Sequence, residues 1–320
     1  MSKLKVGIIG LGVGEKHIEG YAKHPQCEVI ALCDIDDKKI SMAKKKYPKL
    51  SITKNADDIL TNPQINIISI ASYDNFHHEQ IVKAIENKKH IFVEKPLCLY
   101  EKEAINIRKL LKKHPHIKMS SNLILRKSPR FLWLKEQISK KNFGDIYYLE
   151  GDYNYGRLHK ITEGWRGKLD FYSVIYGGGE HIVDLLLWLT EDDVEEVMSY
   201  GNKIASQNTN FKYNDMVVSI LKFKSGKVAK ISNNFGCVMP HFHGLAVYGT
   251  EASFINGLEH GLLFKSREKN AEKIELAYPG VHKGDLIYSF VEAIIANTTA
   301  EVTAEDVFKS MSVCFAMEKA

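Results

Sequence analysis

The amino-acid sequence predicts an α/β protein in two parts: a doubly wound, parallel-stranded N-terminal domain, and a C-terminal α+β domain on a largely antiparallel, open sheet. Three observations predict it. Short apolar segments alternate with helix-like ones through the first third of the chain. A glycine turn closes the first of those segments, and beyond about residue 122 the texture changes to longer runs rich in Tyr, Val, Ile and Phe. Strands separated by single helices form right-handed βαβ crossovers, and hence a parallel sheet covered on both faces.

Taken in order, the candidate strands of the first part are Lys5 to Gly10, Glu28 to Cys33, Ile65 to Ile70, His90 to Val93 and Ile117 to Ser121, all short and apolar or β-branched. Helical patterns fall between them at Glu15 to Lys23, Asp37 to Tyr47, His77 to Asn87 and Tyr100 to Lys113. This predicts a Rossmann-type dinucleotide-binding domain over residues 1–121. The second part, 122–320, opens with a helix over Pro129 to Lys140. Strand-like runs follow at Ile146 to Tyr155, Met216 to Phe223, Val228 to Phe235 and Gly244 to Tyr248, with Lys224-Ser225-Gly226-Lys227 as a hairpin turn. Ile182 to Leu189, Leu286 to Ala296 and Asp306 to Met317 read as helices.

Composition narrows the functional classes. A chain of 320 residues, 44% hydrophobic and 26% charged, is ordinary for a globular protein of two domains. The net charge of +5 is spread over runs such as Lys38-Lys39, Lys44-Lys45-Lys46 and Lys112-Lys113 on predicted helix surfaces. No aromatic-basic module accompanies them, so nucleic acid is not an expected partner. Five cysteines, odd in number and without CxxC spacing, suggest neither a disulfide framework nor a zinc site, and fit a reducing cytosol. No signal-peptide pattern and no apolar run of membrane length stand out, so no membrane partner is expected.

The turn Gly10-Leu11-Gly12-Val13-Gly14 allows a tight bend and a close approach of backbone to a pyrophosphate, with the next helix aiming its N-terminus at the phosphates. The third fingerprint position is Glu15, not Gly; Gly14 compensates in part, and helix-strand packing there must differ from the standard pattern. An ordinary strand-helix turn has the same residues. Asp34, 24 residues after Gly10 at the end of the second strand, supplies a carboxylate for an adenosine ribose diol. That charge repels a 2′-phosphate and no arginine follows closely, which favours NAD over NADP. Lys38 and Lys39 temper the preference.

Glu94-Lys95-Pro96 closes the run His90-Ile91-Phe92-Val93 and puts a cation at the carboxyl end of a buried strand, where open α/β sheets bind ligands. A lysine beside a dinucleotide can have its pKa lowered by desolvation, or stay charged and polarise a substrate oxygen. A surface lysine after an edge strand has the same local sequence. Glu94 can hydrogen-bond a cofactor or pair with Lys95. Further on, His181 and Asp184 lie three apart near the start of an apolar helix and share roughly one face, so Asp184 can fix the imidazole tautomer. They also fit a helix N-terminus favoured by its dipole.

With these segments together, the chain resembles the glucose-fructose oxidoreductase and inositol dehydrogenase family (Gfo/Idh/MocA) over nearly its whole length. The matching stretches are the glycine turn with His17, Asn75-Phe76-His77, Lys89 to Pro96, Asn122 with Arg126, and Gly177-Gly178-Gly179-Glu180-His181-Ile182-Val183-Asp184. The resemblance implies that Lys95 lies beside nicotinamide and substrate and that His181 is an acid/base residue. It implies a cofactor site of Gly10, Leu11, Gly12, Val13, Gly14, Asp34, Ile35, Ser72, Asn75, His77, Glu94, Lys95, Asn122, Trp165 and Arg166. Substrate would meet Arg126, Tyr153, Tyr155 and Asp184, and the open sheet would pair subunits into a homodimer or homotetramer. Inositol dehydrogenase-like members carry an aspartate four residues before the histidine, where this chain has Gly177; Tyr176, Glu180 and Asp184 are the candidates to replace it.

Tyr153, Tyr155, Arg157, His159, Trp165 and Arg166 form a polar-aromatic group suited to a sugar, although aromatic residues also line sheets. His241 and His243 project to one face of a strand, but with no third ligand in view no metal is expected. The expected activity is that of an NAD-dependent, cytosolic dehydrogenase or reductase. It would act on a hydroxyl or carbonyl carbon of a carbohydrate derivative, sugar nucleotide or polyol. A non-catalytic, dinucleotide-responsive regulatory protein of the same fold is the alternative, supported by the missing aspartate.

Overall fold

A computed structural model of the chain describes residues 3–320. It divides into two compact units, one of residues up to Ile124 together with His282–Phe308, the other of Leu125–Val281 with Lys309–Ala320.

In the first unit the alternation of strand and helix is realised as β1 (Leu4–Ile9), α1 (Gly14–Ala22), β2 (Cys27–Cys33), α2 (Asp37–Lys46), β3 (Ser51–Thr53), α3 (Asp57–Leu60), β4 (Ile67–Ile70), α4 (His77–Glu86), β5 (His90–Val93), α5 (Glu101–Lys113) and β6 (Met119–Ser121). The six strands are parallel in the order β3-β2-β1-β4-β5-β6. The order reverses between β1 and β4, the crevice where doubly wound sheets hold ligands. Ile8, Ile67, Ile68, Ile70, Ile91, Phe92 and Val93 are all fully buried, which is why these strands read as continuous apolar runs. β3 and α3 escaped the sequence reading, being only three and four residues long.

The second unit opens with α6 (Pro129–Ser139), followed by β7 (Ile146–Asn154), α7 (His159–Thr162) and α8 (Glu180–Thr190), the last entered through one turn of π-helix at Ile175–Gly179. Then come β8 (Val194–Asn202), β9 (Met216–Phe223), β10 (Val228–Asn234), β11 (Phe242–Gly249), β12 (Ser253–Asn256), β13 (Gly261–Phe264) and β14 (Glu272–Ile274). They form one eight-stranded sheet in the order β14-β13-β12-β11-β7-β10-β9-β8. Every neighbouring pair is antiparallel except β7 with β10, so the sheet is mixed at its centre. α8 lies on its inner face so closely that a Cβ on Gly151 of β7 would collide with Ile182. β8 was not foreseen: its exposed Glu195, Glu196, Met198 and Tyr200 blur the period-two signal.

Two helices end the chain, α9 (Ile287–Ile295) and α10 (Ala304–Lys319). The sequence reading placed everything after residue 121 in the second domain, whereas α9 packs in the first unit on α1 and β5, with Phe290 against Phe92 at 5.7 Å. The approach is as close as backbone allows: Gly284 touches Gly20 of α1, where an added Cβ would come within 2.9 Å of Gly284.

Candidate active site

The glycine turn at the end of β1 is built as its composition requires. Gly10 has φ +90°, and a side chain there would collide with the carbonyl of Ala71. Gly14 takes the packing role of the missing third glycine: a Cβ on it would lie 3.0 Å from Ile8 and 3.1 Å from Ala71. Glu15 is turned aside onto Lys46 (2.7 Å) and Tyr47 (3.3 Å), and Lys46 holds its carboxyl below the usual range. Gly12 and Val13 are exposed in front of the N-terminus of α1, and the one atom within 4 Å of a Cβ on Gly12 would be Lys39 Nζ, at 3.8 Å. An open loop at a helix N-terminus, bare of a side chain at Gly12, fits a dinucleotide pyrophosphate.

Asp34 stands one residue beyond β2 and is buried. Its Oδ2 accepts the Leu11 N–H (2.6 Å) and Lys39 Nζ (3.3 Å), and its Oδ1 accepts the Asp36 N–H (2.9 Å). The carboxylate therefore pins the glycine turn to the end of β2 and carries a cation of its own. Ile35 beside it is largely exposed.

Along the same sheet edge, His77 is buried between two loops, Nδ1 at 2.6 Å from Pro96 O and Nε2 at 3.2 Å from Ser72 O. Ser72 Oγ donates to Gln80 (2.7 Å), and Asn75 is exposed. Lys95 is half-buried immediately after Glu94. Glu94 points into the unit: its Oε1 accepts from Asn122 Nδ2 (2.7 Å) and His17 Nε2 (3.2 Å), while His17 Nδ1 meets Ser69 Oγ at 2.9 Å. Burial alone would raise the Glu94 pKa. The charge of Lys283 and the bonds from His17 and Asn122 outweigh it and hold the carboxyl well below the usual range. Asn122 Nδ2 also donates to the Lys283 carbonyl (2.9 Å). Lys283 carried no local signal, because its neighbours here come from residues far away in the chain.

In the second unit His181 sits in the first turn of α8, buried, with the ring of His243 at 6.0 Å and perpendicular to it. Asp184 one turn on is held by Arg126 through two bonds, Nε to Oδ2 at 3.0 Å and Nη2 to Oδ1 at 2.6 Å, both side chains buried. The two residues expected to meet substrate thus neutralise each other. Of the residues considered as replacements for the aspartate, Glu180 accepts from Ser310 Oγ (3.3 Å) and Tyr176 packs edge-on against Phe171 and Phe315. The space itself is filled by another side chain, because a Cβ on Gly177 would collide with the hydroxyl of the buried Tyr172. Gly178 lies equally tightly on Tyr153. Tyr153 and Tyr155 stack at 5.6 Å, 22° apart, and both touch His241. Trp165 and Arg166 form a half-exposed pair, the guanidinium 4.7 Å from the ring centre. His241 and His243 are 4.7 Å apart, and among the described residues no group of three or more His, Cys, Asp or Glu could hold a metal ion.

Residues 4–121 match the profile of an oxidoreductase family with an NAD-binding Rossmann fold, GFO_IDH_MocA, and residues 131–255 match the GFO/IDH/MocA C-terminal domain. The myo-inositol 2-dehydrogenase of Thermotoga maritima is 24% identical over 258 residues, 78% of this chain and 73% of that protein. In fold, a crystal structure of myo-inositol 2-dehydrogenase from Lactobacillus plantarum superposes with a TM-score of 0.86 at 22% identity, over 99% of this chain and 97% of that one. That of scyllo-inositol dehydrogenase from Lactobacillus casei, with bound NAD(H) and scyllo-inositol, gives 0.82 at 18%, over 100% and 97%.

Proposed function

The chain belongs to the Gfo/Idh/MocA oxidoreductase family, and on that premise we propose that it is an NAD-dependent dehydrogenase or reductase acting on a hydroxyl or carbonyl carbon of a carbohydrate derivative, sugar nucleotide or polyol. The observation that carries the reading is the glycine turn of the parallel sheet, open at Gly12 and pinned by Asp34, with Lys95 on the same carboxyl edge. Dehydrogenation takes a hydride from carbon and a proton from its oxygen. The dinucleotide supplies the hydride acceptor, and the chain must supply the base. Lys95 polarises the substrate oxygen or takes its proton, and His181 serves as the second acid/base group. Buried aromatic rings around Tyr153 suit the apolar face of a sugar ring. The free cysteines, four of five buried, fit work in a reducing cytosol. Among the described residues no helix is long and apolar enough to cross a membrane.

The test is a screen of sugars, inositols and sugar nucleotides for a change in NADH absorbance, followed by Lys95→Ala and His181→Ala. Each variant is expected to lower turnover by roughly a hundredfold or more. NADH affinity should change much less in His181→Ala. Near-full rates in both variants would remove the proposed chemistry. The filled space at Gly177 favours a second reading, a dinucleotide-responsive protein without catalysis, and NADH binding without turnover of any compound would support it.

A further inference from the structure

The turn that leads into α9 sets a second lysine at the ligand edge of the parallel sheet. The backbone around Lys283 is held from three sides. The Lys283 carbonyl accepts from Asn122 Nδ2 (2.9 Å), the His282 N–H before it donates to Asp285 Oδ2 (2.6 Å), and Gly284 after it touches Gly20 of α1. The side chain is half-buried, yet among the described residues its ammonium donates no hydrogen bond and enters no ion pair. Against the burial that would raise the Glu94 pKa, the Lys283 charge is the strongest influence lowering it, so the ammonium lies near that carboxyl.

Glu94 has an unused oxygen of its own. Its Oε1 takes both bonds, from Asn122 Nδ2 (2.7 Å) and His17 Nε2 (3.2 Å). Oε2 accepts none from the described residues, and 9% of the side chain stays exposed. Asn122 Oδ1, on the same carbon as the Nδ2 that ties Glu94 to residue 283, is buried without a partner. Polar atoms left unmade in a finished fold are costly and call for an explanation, such as a ligand that completes the set. Here they lie just past the carboxyl ends of β5 and β6, beside Lys95. A carboxylate or phosphate brings acceptors alone and would be repelled by Glu94. A primary carboxamide is the complement, with an acceptor oxygen and N–H donors side by side on one planar group.

We propose that Lys283 is a cofactor-binding residue, its ammonium donating to the carboxamide oxygen of nicotinamide while the amide of the same carboxamide donates to Glu94 Oε2. Anchored at both atoms, the ring cannot turn over about its bond to ribose, so it offers one face to substrate. The assignment rests on the proposed use of a nicotinamide dinucleotide, and calorimetry with NADH and with ADP-ribose, which lacks the ring, reads it without turnover. At a temperature where melts show the variant folded, Lys283→Met should weaken NADH roughly tenfold or more, the scale of a bond from a charged donor. ADP-ribose affinity should not change. Lys283→Arg, which keeps a charged donor beside Glu94, should retain most of the NADH affinity. A further comparison needs no variant: reduced thionicotinamide adenine dinucleotide, whose sulfur is a poorer acceptor, should bind the wild type more weakly than NADH, and the gap should close in Lys283→Met. Equal binding of the two by the wild type, an unchanged NADH affinity in Lys283→Met, or an equal loss for ADP-ribose overturns the assignment. A rise in the KM of a polyol with NADH affinity unchanged would give the lysine to substrate instead. If the wild type binds neither NADH nor ADP-ribose, the dinucleotide reading itself falls, and the assignment with it.

Discussion

Asp34 combines two duties that sequence motifs treat as one. As the proposed ribose acceptor it would favour NAD, and as the acceptor of Leu11 N–H it holds the glycine turn in place. Lys39 adds a cation 3.3 Å from the same carboxylate, which weakens the repulsion of a 2′-phosphate. NADH should still bind more tightly than NADPH, and Lys39→Met should widen the gap by roughly tenfold, about 1.4 kcal/mol. Asp34→Ala should narrow the gap and weaken both cofactors, since the turn loses its anchor. Calorimetric titration of both dinucleotides checks this, and tighter NADPH binding by the wild type would count against the assignment. Gly177 makes the second residue-scale case. With Tyr172 Oη in the space of its missing side chain, Gly177→Ala should destabilise by about 1–3 kcal/mol, the range for overpacked cores. Gly177→Asp alone should lower Tm, and adding Tyr172→Ala should recover part of the loss. Additive losses in that double-mutant cycle would mean that the two positions do not compete for space.

Among the elements, the returning segment with α9 departs most from a linear reading. Its apolar pattern identifies a helix, but no local feature says which sheet it joins; that is decided by Gly20 and Gly284 touching and Phe290 meeting Phe92. The same segment brings Lys283 to Glu94. A carboxyl whose pKa is depressed on folding contributes stability that is present above its unfolded value, near 4.5, and is lost as pH falls below that. Lys283→Met should therefore destabilise the protein at pH 7 by roughly 1–3 kcal/mol. The difference should shrink towards pH 4 as Glu94 takes up a proton in the variant. Thermal melts from pH 4 to 8 measure it, and a pH-independent difference would exclude the electrostatic cause. The central strands of the parallel sheet, β4 and β5 above all, were legible because they are buried on both faces, and the glycine turn because its φ at Gly10 excludes side chains; the half-exposed edge strand β3 was not. Partners were not legible. Arg126 and Asp184 were both foreseen as site residues, yet nothing in their spacing says that they bind each other. His243 drew attention through its neighbour at 241, whereas its ring nitrogen meets Tyr278, 35 residues away.

For the whole molecule, the outer face of the eight-stranded sheet is the surface expected to carry association. Met198, Tyr200 and Ile220 stand exposed on it, and Tyr148 stacks on Tyr248 at 5.6 Å. Lys230 lies among them, bonded to Asp152 (2.7 Å) and Glu150 (3.3 Å). An apolar face with its charges already paired suits another protein surface better than water. A homodimer or homotetramer is expected by light scattering at micromolar concentration, and Met198→Glu with Ile220→Glu should shift it towards monomer. A monomeric wild type would contradict it.

The contact of Gly20 with Gly284 also has a consequence for biosynthesis. The N-terminal sheet leaves the ribosome with the flank of Phe92 bare, and the α9 residues that cover it emerge only after the entire second sheet has been made. At about 5–20 residues per second the delay is on the order of ten seconds or more. Through that interval a nascent chain displays an apolar surface that the finished protein conceals, a natural handhold for chaperones. A premature stop anywhere before residue 282 would leave that handhold permanently open, so shortened chains should be degraded as misfolded even with every residue of the glycine turn and of Glu94-Lys95-Pro96 intact.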